Sequence, residues 1–319
     1  KINEIINDFQ SQNSNIKVVY ERQSDTGYKD RITTRLNLKS TNMGNIVELD
    51  DAWLEESFFN LSPITDQTTI GRYTSTSIRN NTLNNIVYGV PFRFDSIAIA
   101  YNPAHLAEIN FTEEDFNKLD WSGLVTRAKQ LTKTKKSPVV GQTSQTFDEI
   151  TRAGIAVGSP KSMTNADQVF ELLLIQNDAS IFSRTTQKFK LNTKVNEVVN
   201  FYTNFALQNV WADYLGNDID AFASGKVSMV LVRSGDIDRI KALNPDLKFD
   251  TAIPAKIGAI QNISLSRSLV IPNYMPNAAE SQKFIEFLTR TENSIKLYDA
   301  KATNTFIPLK NDAAPSGAD

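Results

Sequence analysis

Apolar residues at Ile2, Ile5, Ile6 and Phe9 fall at helical spacing and predict an opening helix, broken by Asn13-Ser14-Asn15. Ile16-Lys17-Val18-Val19-Tyr20 is rich in β-branched residues and reads as a strand. Tyr28, Ile32 and Leu36 recur every four residues and predict a second helix, and Ile46-Val47-Glu48-Leu49 then reads as a buried strand. The stretch from Leu61 to Asn85 is polar, has no apolar period and reads as irregular surface. Two extended runs follow, Val87 to Phe92 and Ser96 to Tyr101, separated by Arg93-Phe94-Asp95. Pro91 has no N–H to give a ladder, which argues against a continuous central strand.

Beyond residue 110 helical stripes dominate. Thr112 is placed to cap a helix whose first turn carries Glu113, Glu114 and Asp115. Trp121, Leu124, Val125, Ala128 and Leu131 form one stripe, and Lys133, Lys135 and Lys136 read as its solvated end. Val169 to Leu174 and Val195 to Phe205 form two more. Asp220 to Ser224 reads as a short helix stopped by Gly225, where a left-handed residue is wanted. Strands are expected at Val227 to Val232, Phe249 to Ile253 and Ser268 to Ile271, and closing helices at 278–288 and 292–300. Helices alternating with strands predict an α/β fold with mixed, mostly parallel sheets flanked by helices. The small, polar tail from Asn311 reads as frayed.

Composition narrows the chemistry. At 319 residues the chain is longer than one core usually fills, so two lobes are expected. A net charge of -2 carries no basic excess for nucleic acid. No apolar run is long enough to span a bilayer as a helix. With no cysteine and only His105 as histidine, thiolate sites are excluded and a zinc site is disfavoured. No phosphate-cradling glycine motif or metalloprotease, serine-hydrolase or calcium-loop signature occurs. Asp50 and Asp51 point to opposite faces of a strand and make a poor dyad. A glycosidase would need one of them with a distant partner such as Asp95 or Glu149.

Five ordered motifs carry a resemblance. They are Asn15-Ile16-Lys17-Val18 after the opening helix, and Asn45-Ile46-Val47-Glu48-Leu49-Asp50-Asp51-Ala52-Trp53. Next come Tyr88-Gly89-Val90-Pro91-Phe92 with Asp95 and Tyr101-Asn102, then Asp220-Ala221-Phe222-Ala223-Ser224-Gly225-Lys226-Val227-Ser228-Met229. The last runs from Asn277-Ala278-Ala279 through Phe287-Leu288-Thr289 to Phe306-Ile307-Pro308. Together they resemble the extracellular solute-binding proteins of carbohydrate ABC importers, the family-1, maltose-binding-protein-like group. The resemblance implies a two-lobed clamp, with residues 1–95 and 254–303 in one lobe and 96–253 and 304–319 in the other. Hinges would fall at Phe94 to Ser96, Thr251 to Pro254 and Thr303 to Phe306. It implies a monomer without cofactor or catalysis, with a carbohydrate ligand and ABC transporter membrane subunits as partners. The location would be extracytoplasmic, periplasmic or lipid-anchored. No signal segment stands at Lys1, and the strand with which the family opens is missing before the first helix.

A sugar offers apolar CH faces and many hydroxyls, so its binders pair aromatic rings with charged or amide groups. Loops at strand ends nominate Asp50, Asp51 and Trp53 after one strand, and Phe92, Arg93, Phe94 and Asp95 after another. Trp211, and Arg233, Ser234 and Asp236 after the Val227 strand, complete the set. In the family's maltose binder a stacking tryptophan stands in that last segment, which Arg233-Ser234-Gly235-Asp236 occupies here. Each candidate also has a packing role open to it: Asp50 as a helix cap, Arg93 as the partner of a local acid, Trp211 as core. A glycoside-acting enzyme and a scaffold or adhesin on the same fold are the alternative functions.

Overall fold

A computed structural model describes residues 1–299 except 25–26, 159, 180–181, 184–187, 190–192, 259–261 and 264. The chain forms two compact units: Lys1–Asp95 with the described chain after Ile263, and Ser96–Ile263.

The first unit is built on three antiparallel strands in the order Val47–Asp50, Leu265–Val270, Gly89–Asp95. Alternate residues face opposite ways, so each face of this sheet has its own core. On one side Val90 and Leu269 meet Ile5, Ile6 and Phe9 of the helix Ile2–Gln12, with Phe284 and Phe287 of Ala278–Leu288. The Phe9 ring lies 5.1 Å from Phe284 and 5.3 Å from Phe287. On the other side Leu49 and Val270 meet Ile32 and Leu36 of the helix Tyr28–Asn37.

The second unit holds five strands in the order Asp250–Ala252, Ala98–Tyr101, Val227–Val232, Gln142–Ala156, Lys133–Val139. Val227–Val232 is buried at every residue, as the middle of a sheet covered on both faces must be. Trp121, Leu124 and Leu131 of the helix Trp121–Leu131 are fully buried, and so is Phe205 from Thr193–Ala206. The Trp121 indole donates to Gln176 (2.7 Å), whose amide donates to the Ala255 carbonyl (3.0 Å).

The α/β character matches the expectation, but several details do not. Among the described pairings only Val227–Val232 with Gln142–Ala156 is parallel. The second division falls after Ile263 rather than at residue 254, because the intervening segment is tied to the second unit. Lys256 N–H donates to Leu119 (3.3 Å) and the Asn262 amide to the Ile97 carbonyl (2.6 Å). The segment Thr303 to Phe306 and the tail lie outside the described residues. Ile16 to Tyr20 forms no strand. Ile16 and Val18 pack on the core, Val19 and Tyr20 are exposed, and no described strand pairs with the segment. Between Leu61 and Asn85 the chain folds into two short helices and a hairpin. Asp66 caps the first helix through the N–H groups of Thr68 and Thr69, and Thr74 caps the second.

Arg93, Phe94 and Asp95 belong to one strand with Gly89 to Phe92. Pro91 is accommodated because this strand is at the sheet edge and its register slips between Arg267 and Ser268. Lys133, Lys135 and Lys136 do not end a helix; they open a strand paired in a long hairpin turning at Val140-Gly141. Gly141 adopts a φ of +80°. Lys135 faces Glu149 (3.2 Å) and Lys136 faces Asp148 (2.8 Å), each pair directly opposite in register.

Candidate functional site

In the first unit the end of Val47–Asp50 presents a charged row. Asp50 lies opposite Arg267, and Arg267 opposite Arg93, so all three share one face of the sheet. Glu48, two residues before Asp50, lies on that face too. The Arg93 guanidinium reaches across the central strand, its Nε 3.2 Å from Glu48 Oε1, while Arg267 Nη1 lies 3.9 Å from the same oxygen. Arg93 also sits 5.9 Å from the centre of the Phe92 ring. The sequence-nominated Arg93 therefore has a local acid, and that acid, Glu48, was not itself nominated.

The next helix carries an aromatic candidate on the other core of this unit. Trp53 on Asp51–Ser57 is half-buried, 6.4 Å from the Tyr28 ring and 5.7 Å beneath Lys29 Nζ. It rests one side on the core and keeps part of its surface in solvent. The Tyr28 hydroxyl donates to the Glu48 carbonyl (2.7 Å), and burial, with the Glu48 charge beside it, raises the phenol's pKa. Phe94 is half-buried and Asp95 buried at the strand end. The Asp51 side chain lies outside what the structure describes.

In the second unit the candidates gather at the carboxyl ends of the parallel pair, where α/β sheets place their ligands. Three carboxylates there hold the segment Ser162 to Asn165. Ser162 Oγ donates to Asp213 (2.6 Å). The N–H and hydroxyl of Thr164 donate to Asp218 (3.0 and 2.6 Å). The Asn165 amide donates to Asp236 (2.7 Å) and to the Leu231 carbonyl (3.2 Å). Asp218 is wholly buried, and its desolvation raises its pKa despite the donors from Thr164 and Ile219.

Asp236 is thereby explained: it accepts the Arg233 N–H (2.9 Å) and closes the first turn of the helix Ser234–Leu243. Arg233 and Ser234 are half-buried at the start of that helix. Trp211 is buried in the core, 6% exposed, with its indole N–H on Ser162 (3.2 Å) and one edge against Gly158. Its packing role, left open by the sequence, is the one the structure displays. Glu149, a possible catalytic acid, is engaged by Ser137 and Lys135, which lower its pKa.

Ser162, Thr164, Asn165, Asp213 and Asp218 were not nominated. Asn217-Asp218 before an apolar run was a legible cap signal. The others come together only through the fold. Among the described residues no group of three or more acids and histidines is arranged to hold a metal ion, and no helix is long and apolar enough to cross a membrane.

No curated protein matches the sequence. Solved structures with the same fold include an ABC-transporter solute-binding protein from Thermotoga lettingae bound with α-D-tagatose. It is 18% identical over 98% of this chain and 78% of that one, with a TM-score of 0.69. UgpB from Mycobacterium tuberculosis, in complex with glycerophosphocholine, is 18% identical over 98% and 76%, with a TM-score of 0.71. Maltose-bound MalE3 of T. maritima is 16% identical over 98% and 78%, with a TM-score of 0.66. Residues 4–318 match the sequence profile of the bacterial extracellular solute-binding proteins, and the chain belongs to that family.

Proposed function

We propose that this protein binds a mono- or oligosaccharide outside the cytoplasm, as a monomer, and delivers it to the membrane subunits of an ABC importer. The observation that carries the reading is the partly exposed Trp53 ring on the helix directly after the strand Val47–Asp50; the ionic row of Glu48, Asp50, Arg267 and Arg93 lies on the sheet itself. An aromatic face suits the CH side of a sugar ring, and a guanidinium beside carboxylates suits its hydroxyls. Family membership supports the location and the transport role, and the tagatose and maltose complexes of its structural neighbours support the ligand class. In the first unit Asp50, Trp53, Phe92, Arg93 and Phe94, and in the second unit Arg233 and Ser234, are the side chains proposed for ligand contact. A binding role without turnover accords with the family.

A thermal-shift screen of mono- and oligosaccharides tests this. A ligand of the folded state at 100 times its Kd stabilises by about 2.7 kcal/mol, so at least one sugar is expected to raise the melting temperature in a concentration-dependent way. Flat melting across the panel would remove the sugar reading.

A further inference from the structure

We infer that Asn165 is a positioning residue for Arg233, holding from outside a turn that its own residues leave loose; the inference rests on the sugar-binding reading above, in which Arg233 is a contact. Asn165 stands immediately before the helix Ala166–Gln176, and its carbonyl accepts the Val169 N–H (3.0 Å). An asparagine at that position ordinarily turns its side-chain oxygen onto the N–H groups of its own first turn. Among the described residues none of those N–H groups donates to it. Its amide nitrogen donates instead to the Leu231 carbonyl (3.2 Å) and to Asp236 Oδ2 (2.7 Å). A carbonyl and a carboxylate only accept, so the chemistry places the nitrogen toward them. The two partners stand on either side of Arg233 along the chain.

The Arg233 turn needs that support. Arg233 occupies the cap position of the helix Ser234–Leu243, and a guanidinium has no acceptor to offer the first-turn N–H groups. Gly235, in the same turn, has the widest backbone freedom of any residue. The one local tie from a side chain is the Arg233 N–H on Asp236 Oδ2 (2.9 Å), the oxygen that also takes the Asn165 amide. Asn165 is itself fixed. It is 4% exposed, and Ser162 and Thr164 before it are held by Asp213 and Asp218. The helix that follows it buries Val169, Leu172 and Leu173. A fixed amide thus sets the backbone from which Arg233 projects, and a contact ordered in advance binds more tightly because less freedom is lost on binding.

Asn165→Ser separates this role from simple helix capping, because serine caps as well as asparagine does but lacks the amide that reaches Leu231 and Asp236. In calorimetric titration at 25 °C the native chain is expected to bind at least one of D-glucose, D-tagatose and maltose. Asn165→Ser is expected to bind that sugar about tenfold or more weakly, the worth of a hydrogen bond to a charged group. Arg233→Ala is expected to weaken it too, and the double variant to match Arg233→Ala within about twofold, since one residue acts through the other. Without sugar, deuterium uptake over Leu231 to Asp236 should rise in Asn165→Ser. Native affinity or native uptake in Asn165→Ser with an intact circular dichroism spectrum, or losses that multiply in the double variant, overturn the inference and leave sugar binding standing. Should Asn165→Ser not fold, native affinity in Arg233→Ala still overturns it. Failure of the native chain to bind any of the three sugars overturns the inference together with the reading beneath it.

Discussion

Gly154 is where a single methyl group does the most damage. It lies in Gln142–Ala156, the strand that delivers the Ser162 to Asn165 segment, and it faces the last turn of the helix Trp121–Leu131. A Cβ at Gly154 would lie 1.9 Å from the Ala128 carbonyl oxygen and 2.5 Å from its carbon. Both are backbone atoms, so no rotamer change relieves the contact. Restoring an ordinary separation of about 3.4 Å moves helix and strand apart by roughly 1.5 Å. The Ala128 oxygen accepts from the N–H and the hydroxyl of Thr132, 3.0 and 2.8 Å away. Gly154 N–H donates to Val210 (3.1 Å) and to the Thr132 hydroxyl (3.1 Å). Overpacking costs about 1–3 kcal/mol and often more where backbone must move, and each weakened hydrogen bond adds about 1 kcal/mol. Gly154→Ala is therefore expected to cost about 3–5 kcal/mol. At about 2–4 °C per kcal/mol for a unit of this size, its melting temperature falls by roughly 6–20 °C. Gly141→Ala is the control. Nothing lies within 4 Å of a Cβ there, so only the strain of a φ of +80° remains, about 1 kcal/mol. Thermal unfolding followed by circular dichroism reads both. Gly154→Ala melting within about 2 °C of the native chain would refute the reasoning.

Two further expectations follow from the site's surroundings. Glu108 accepts from Arg152 (2.6 and 2.7 Å) and lies 3.1 Å from Lys133; these hydrogen bonds bring its pKa from 4.5 down to about 2. A depressed carboxylate pKa gives stability that is present above the unfolded value and lost as pH falls from about 4.5 to 2. The melting-temperature gap between the native chain and Glu108→Gln should thus hold from pH 6 to about pH 5 and shrink from there to pH 3, and a gap constant down to pH 3 contradicts the pairing. Trp211→Phe removes the bond to Ser162 and part of a buried ring, a loss of about 1–2 kcal/mol in urea unfolding. Because Trp211 is core, sugar affinity should stay within about threefold of native; a tenfold loss of affinity at unchanged stability would return it to the ligand.

What the sequence made legible were elements whose pattern is local. The stripe Ala278–Leu288 was read to the residue, and Gly225 sits at a φ of +73° as its stop signal required. The Thr112 helix start is likewise confirmed, its N–H and hydroxyl both on Asp115. The hairpin from Lys133 was missed because it is solvated on both faces, so no apolar alternation betrays it, and its pairing is carried by Lys–Glu and Lys–Asp contacts. The Ile16 segment misled in the opposite direction: β-branched residues suit a half-buried surface, and here that surface is used without a ladder. At the candidate site, residues adjacent in sequence were found and residues joined by register were not. Glu48 and Arg267 come from distant parts of the chain and meet only because Val47–Asp50 pairs with Leu265–Val270. Arg93 was nominated as a ligand contact without the acid that orients it. Asp236 was nominated as a contact where its carboxylate serves the first turn of its own helix.

The central claim turns on Trp53, and the chain's own fluorescence isolates it. Of three tryptophans, Trp121 and Trp211 are buried at 2% and 6% exposure, and Trp53 alone is partly exposed. Titration with the sugar that most raises the melting temperature should give a saturable change in tryptophan emission, and Trp53→Phe should abolish that change while the protein stays folded. An emission change that persists in Trp53→Phe, or no change at saturating sugar, would contradict a ligand seated on this ring.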